Sequence, residues 1–195
     1  MRARTLVPTL ICAAALVLAG CGTKNGGGSA SADGTADGSG NRAAGAADTS
    51  RGTGAPAPGN APTALRFTGT TVEGKPFDAA TLAGKPTVLW FWAPWCGTCR
   101  GQAPQTAKLA RQYRGKVNFL GVAGLDKAAS MRDFVSSMKV GGFPHLDDEK
   151  GSVWKKFGIT EQSAFVLLDS SGRTVHSAVP SGPADLDRRV AGLVG

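Results

Sequence analysis

Along residues 63–195, apolar positions either alternate with polar ones or recur at helical spacing, and each stretch predicts an element. Residues 65–72 alternate enough for a strand, Glu73-Gly74-Lys75-Pro76 is a turn signal, and Phe77 resumes the chain. Residues 78–82 predict a short helical turn ending at Gly84. Residues 86–92 (PTVLWFW) form an unbroken apolar run, which predicts a central strand buried on both faces in a parallel or mixed sheet. A helix is predicted over 97–114, closed by Gly115, and a strand over 117–123. Met131, Phe134, Val135 and Met138 recur at helical spacing within 127–139, before Gly141-Gly142. A short helix over 152–157 follows. Strands over 164–168 and 173–178 pair across Asp169-Ser170-Ser171-Gly172, and a terminal helix spans 185–193 with Pro183 near its start. There is no internal repeat.

The first 62 residues read differently. Arg2 and Arg4 precede an apolar run over residues 6–18, too short for a membrane span, which needs about 20 residues. Leu18-Ala19-Gly20-Cys21 ends it with small residues and a cysteine. This resembles a bacterial lipoprotein signal, which implies removal of residues 1–20 and lipidation (palmitate) of Cys21 as the mature N-terminus. Arg2 and Arg4 are not adjacent, so a twin-arginine export signal is not supported. Residues 22–62 contain no Leu, Ile, Val, Phe, Trp, Tyr or Met and cannot bury an apolar core. A tether over 21–62 is expected, with an r.m.s. span on the order of 35 Å. Residues 63–195 are enough for one compact domain. The formal charge is +8, of which two charges leave with the signal, and the remaining basic residues are scattered as on solvated helix faces. A nucleic-acid role is therefore not expected.

The four cysteines sort by position. On the lipoprotein resemblance Cys12 would leave with the signal and Cys21 would carry lipid, leaving Cys96 and Cys99 as the redox-capable thiols. Two cysteines three apart at the start of a helix lie on one face, so their sulfurs can bridge. Such a bridge closes too small a loop to add much stability, which argues for catalysis. Cys96 also sits where unpaired backbone N–H groups and the positive end of the helix dipole favour a thiolate. It is the expected nucleophile, with Cys99 resolving.

The stretch Phe91-Trp92-Ala93-Pro94-Trp95-Cys96-Gly97-Thr98-Cys99-Arg100, with Pro104 beyond it, resembles the thioredoxin superfamily, and within it the TlpA/ResA/DsbE-like extracytoplasmic thiol-disulfide oxidoreductases. The resemblance implies an α/β thioredoxin-like fold, a central mixed β-sheet flanked by helices, with an N-terminal strand pair and a helix insertion. It implies a redox disulfide between Cys96 and Cys99, no cofactor and no metal. Partners would be extracytoplasmic proteins with thiols or disulfides, met by a monomer held at the membrane by its lipid. Trp95 is read as an exposed aromatic that shapes the partner groove, and Trp92 and Pro94 as site-shaping; Trp90 and Phe91 are read as core. Pro104 is the family's kink in the active-site helix.

Two departures stand out. Trp90 occupies the position where thioredoxin carries a buried carboxylate, leaving water, Asp126 or Glu161 as proton acceptors, or exchange without a dedicated base. Ser163 stands where the family has a cis-proline, so Ser163→Pro is expected to be tolerated or stabilising and its hydroxyl is within possible reach of Cys96. The Gly97-Thr98 dipeptide matches neither reducing nor oxidising relatives and leaves the direction of electron flow open. His145 and His176 are read as structural or surface residues. Two alternatives are carried: a peroxiredoxin-like peroxide reductase, whose Pro-x-x-x-Thr-x-x-Cys arrangement is absent, and a thiol- or copper-binding lipoprotein without turnover.

Overall fold

The computed structural model describes residues 60–195; the expected signal, Cys21 and nearly all of the tether lie outside them. The strands are β1 (Thr68–Thr71), β2 (Pro76–Asp78), β3 (Thr87–Trp92), β4 (Asn118–Ala123), β5 (His145–Asp147), β6 (Ala164–Leu168) and β7 (Thr174–Ala178). The helices are α1 (Gly97–Gln112), α2 (Ala128–Ser137), α3 (Ser152–Lys156) and α4 (Pro183–Ala191). One seven-stranded mixed sheet runs β2-β1-β5-β4-β3-β6-β7. β3, β4 and β5 are mutually parallel, while β6 pairs antiparallel with β3 and with β7. β1 and β2 form the expected N-terminal strand pair, with Thr68 opposite Asp78.

β3 lies in the middle because every one of its six residues can be buried. Val88, Trp90 and Trp92 face a layer built by α1, α2 and α4, in which Ala103, Leu109, Met131, Phe134, Leu186 and Val190 pack. Leu89 and Phe91 face the opposite layer with Leu65, Leu82, Val153 and Trp154. The alternation along one strand thus supplies both halves of the core.

Several expectations shift at the edges. The strand expected over 65–72 starts only at Thr68, because residues Thr63–Leu65 form a 3-10 turn that buries Leu65. The expected tether runs through residue 62, yet Ala61 is fully buried and its carbonyl accepts from Arg66 Nε at 2.7 Å. The packed domain therefore includes residues 61–62. α2 ends at Ser137, and the turn is made by Lys139 with φ 55°, ahead of the glycine pair. The insertion holds a strand as well as a helix. β5 was not expected, since three residues reading His-Leu-Asp carry no usable periodicity.

β5 exists because its neighbours make room for it. His145 on β5 lies beside Gly121 on β4, where a Cβ would fall 2.0 Å from the imidazole Nδ1. Only glycine permits that approach. After β5, the buried Asp148 carboxylate accepts the backbone N–H groups of Ser152, Val153 and Trp154 at 2.8–2.9 Å, which starts α3.

Candidate active site

The carboxyl ends of β3 and β4 and the start of β6 converge, since Trp92 pairs with Ala123 and Phe91 with Ala164. Three segments leave or enter the sheet there: the turn into α1, the loop after β4, and the residue before β6. Open α/β sheets place their sites at such an end.

Cys96 is the N-cap residue of α1, with extended backbone, and its Sγ accepts the N–H of Cys99 at 3.0 Å. Cys96 and Cys99 form a disulfide with Cα atoms 5.3 Å apart. Cys99 is fully buried and Cys96 is 3% exposed, so attack can come only along a narrow approach to Cys96. The sulfur at the cap accepts one N–H of the first helical turn and lies at the positive end of the helix dipole, which favours negative charge there.

The aromatic frame divides into a buried and an exposed part. Trp92 is fully buried and stacks on Phe134, with ring centroids 4.3 Å apart, so it supports the site from beneath. Its Nε1–H donates to His145 Nδ1 at 3.2 Å, and His145 Nε2–H donates to the Val140 carbonyl at 3.0 Å. Both ring nitrogens of His145 are thereby engaged, and burial pushes its imidazole down to about 4, against the opposing pull of the Val140 carbonyl and Glu73. His176 accepts from Arg189 at Nδ1, and its pKa is lowered by burial and by the Arg189 charge. Pro94 is buried and its carbonyl accepts from Arg100, whose guanidinium lies over the Phe134 ring.

Trp95 is 55% exposed, and its Nε1–H donates to the Leu125 carbonyl at 3.2 Å. Leu125 has φ 61° and is itself 52% exposed. A bulky side chain in the left-handed region is uncommon, and such strain concentrates at functional sites. Together Trp95 and Leu125 make an apolar rim beside the disulfide. On the other side, a cavity of about 370 Å³ between α1 and α4 is lined by Thr98, Gln102, Pro180, Pro183 and Leu186, among others.

Ser163 is buried against the disulfide. Its Oγ lies 3.3 Å from Cys96 Sγ and 3.5 Å from Cys99 Sγ. Its N–H donates to the Phe91 carbonyl at 2.8 Å and its φ is 75°. A proline has no N–H to donate and holds φ near −65°, so this geometry argues against the expectation that Ser163→Pro is tolerated. Gln102 was not anticipated: its Nε2 donates to the Ser163 carbonyl at 2.9 Å while its Oε1 accepts from Trp90 Nε1 at 3.0 Å. The signal was present, because Cys96, Cys99 and Gln102 recur every third residue and share one side of the helix start. Leu125 had no such signal. Asp126 and Glu161 form no hydrogen bond to either cysteine among the described residues; Asp126 accepts from the N–H of Lys127, and Glu161 is exposed.

Residues 60–177 match the AhpC/TSA family. The chain belongs to the AhpC/TSA family. This AhpC/TSA protein is 38% identical over 132 residues to the soluble secreted antigen MPT53 of Mycobacterium tuberculosis, covering 66% of this chain and 75% of that one. It is similar in structure to MTB dsbF, with a TM-score of 0.64 and 42% identity, covering 68% of this chain and 98% of that one. It is also similar to a secreted Mycobacterium tuberculosis disulfide oxidoreductase homologous to E. coli DsbE, with a TM-score of 0.62 and 37% identity over 67% of this chain and 98% of that one. The fold is thioredoxin-like, and this AhpC/TSA protein is a thiol-disulfide oxidoreductase with the Cys96–Cys99 pair at its site.

Proposed function

We propose that this oxidoreductase works at the extracytoplasmic face of a membrane, tethered through lipid on Cys21, and exchanges disulfides with protein substrates. Cys96 is the nucleophile and Cys99 the resolving thiol. The observation that carries this assignment is the cap geometry: Cys96 Sγ accepts the Cys99 N–H at the end of α1 that favours a thiolate, whereas Cys99 is fully buried one turn inside. The exposed Trp95 and Leu125 offer a substrate protein an apolar landing beside the one sulfur that can be reached. The anchor rests on the sequence, with Arg2, Arg4, the apolar run and the small residues before Cys21.

Iodoacetamide labelling of the reduced protein, read by peptide mass, tests the roles. Cys96 is expected to alkylate first; preferential labelling of Cys99 reverses the assignment. The direction of electron flow is read from the potential of the pair, about −270 mV for a thioredoxin-like reductant and about −120 mV for a strong oxidant. Cys21→Ala is expected to release the processed protein from membranes with thiol exchange intact. Retention of the unlipidated protein wholly on membranes removes the anchor from the reading.

A further inference from the structure

No carboxylate hydrogen-bonds either active-site sulfur among the described residues, and the residue that does reach them is a buried serine with nothing else to bond. Among the described residues, Ser163 Oγ has hydrogen-bond contacts to Cys96 Sγ and Cys99 Sγ alone. Its backbone leaves it no freedom: the N–H is held by Phe91, the carbonyl by Gln102, and φ is 75°. The hydroxyl is therefore placed between the two sulfurs by the fold itself.

We infer that Ser163 is a catalytic residue, its hydroxyl donating a hydrogen bond to the Cys96 thiolate, and that Gln102 is the positioning residue that holds it there. The inference rests on the thiol-disulfide reading of the same site.

The physical reason is a difference between the two redox states. In the oxidised protein the hydroxyl proton faces only disulfide sulfurs, which are weak acceptors. In the reduced protein it faces a thiolate, and a hydrogen bond to a charged group contributes more than one between neutral groups. The bond is thus stronger in the reduced state, so it lowers the pKa of Cys96 and raises the reduction potential of the pair. The charged groups around the sulfurs do not supply this. Arg100 is turned to the Pro94 carbonyl and the Phe134 ring, and the neutral His145 is bonded to Trp92 and the Val140 carbonyl rather than to either sulfur. Asp126 and Glu161 stand on neighbouring loops without bonds to either sulfur.

The exchange balances without a proton passing through Ser163. The Cys96 thiolate attacks one sulfur of a substrate disulfide; a Cys96–substrate bond forms, the substrate S–S bond breaks, and the second substrate thiolate departs to take a proton from water. Cys99, having lost its proton to water, then attacks Cys96 Sγ. The Cys96–Cys99 bond forms, the mixed disulfide breaks, and the remaining substrate thiolate leaves. The protein dithiol is oxidised and the substrate disulfide reduced by two electrons. Ser163 Oγ, within 3.5 Å of both sulfurs, can turn its donation from Cys96 to Cys99 as the charge moves.

Ser163→Gly is the deciding variant, because glycine adopts φ 75° without strain and lacks only the hydroxymethyl group. Ser163→Ala lacks the hydroxyl but keeps the strain. The rate of iodoacetamide alkylation of the reduced protein across pH gives the Cys96 pKa, and equilibration in glutathione buffers gives the potential. Both variants are expected to raise the pKa by about one unit, a tenfold loss of thiolate at pH below the pKa. A matching tenfold change in the redox equilibrium lowers the potential by about 30 mV. Gln102→Leu should shift both quantities in the same direction by less, and should add nothing in the Ser163→Gly background, as expected of a group acting through another. An unchanged pKa and potential in Ser163→Gly overturns the inference, as does a shift seen in Ser163→Gly but not in Ser163→Ala, which would assign the effect to relief of backbone strain rather than to the hydroxyl. Failure of the wild-type protein to reduce or form any substrate disulfide would instead overturn the functional reading.

Discussion

Ser163 and His145 each hold a conformation that their neighbours impose, and each makes a measurable commitment. Replacing Ser163 by proline removes the N–H donated to Phe91 and demands a backbone that the site does not have. The expected cost is about 3 kcal/mol, read as a lower melting temperature. Equal or higher stability of Ser163→Pro would show that this backbone is not required. His145 is neutral in the folded state, its pKa lowered to about 4 chiefly by burial. In the unfolded chain it titrates near its ordinary value of about 6.5. Between those values the unfolded state binds the extra proton, so stability falls as pH falls through about 6.5 toward 4 and the loss is complete below the folded value. The full loss is about 3 kcal/mol. Denaturant melts from pH 7 to pH 4 should show it, and His145→Gln should flatten that part of the slope; an unchanged slope in the variant assigns the loss to other groups.

At the scale of elements, the site is the meeting of one helix start with two loops, and Trp95 ties the first to the second through the Leu125 carbonyl. Trp95 is more than half exposed, so its removal empties little of the core. Trp95→Ala is expected to slow reduction of a protein disulfide such as insulin about tenfold, in line with loss of an aromatic contact at an interface. Its effect on the melting temperature and on exchange with a small disulfide should be minor. Equal slowing for small and protein substrates would place Trp95 in the chemistry of the sulfurs rather than in docking. Trp92 behaves oppositely because it is buried against Phe134 and bonded to His145. Trp92→Ala is expected to destabilise the domain by about 3–5 kcal/mol, checked by the same melts.

For the molecule as a whole, the proposed anchor and the oxidoreductase domain are separable only if the packed domain is cut in the right place. Ala61 is fully buried, Pro62 accepts the N–H of Leu65 at 2.8 Å, and the Ala61 carbonyl accepts from Arg66. A chain of residues 55–195 should melt like the full-length protein. A chain of residues 63–195 should lose about 1–2 kcal/mol, from one buried alanine and two hydrogen bonds. Equal melting of the two chains would return residues 61–62 to the tether.

The sequence by itself determined those features written in contiguous residues. The run TVLWFW reads as a strand buried on both faces, and its junction with Cys-Gly-Thr-Cys and a helix pointed to thiol-disulfide chemistry at the Cys96–Cys99 pair. The hairpin at Asp169-Ser170-Ser171-Gly172 and the turn at residues 73–76 were legible for the same reason, since local φ preferences specify them. Tertiary structure decided what depends on residues far apart. β5 is too short to show a period and exists because Gly121 admits His145. The register of β3 against β6 brings Ser163 onto sulfurs more than sixty positions earlier, in a left-handed backbone that no local pattern announces. Gln102 joins Trp90 to Ser163 only because α1 packs over that register. Local composition specifies which atoms react; the long-range pairing of strands decides which groups surround them, because that pairing is where the buried hydrogen bonds of distant segments must be satisfied.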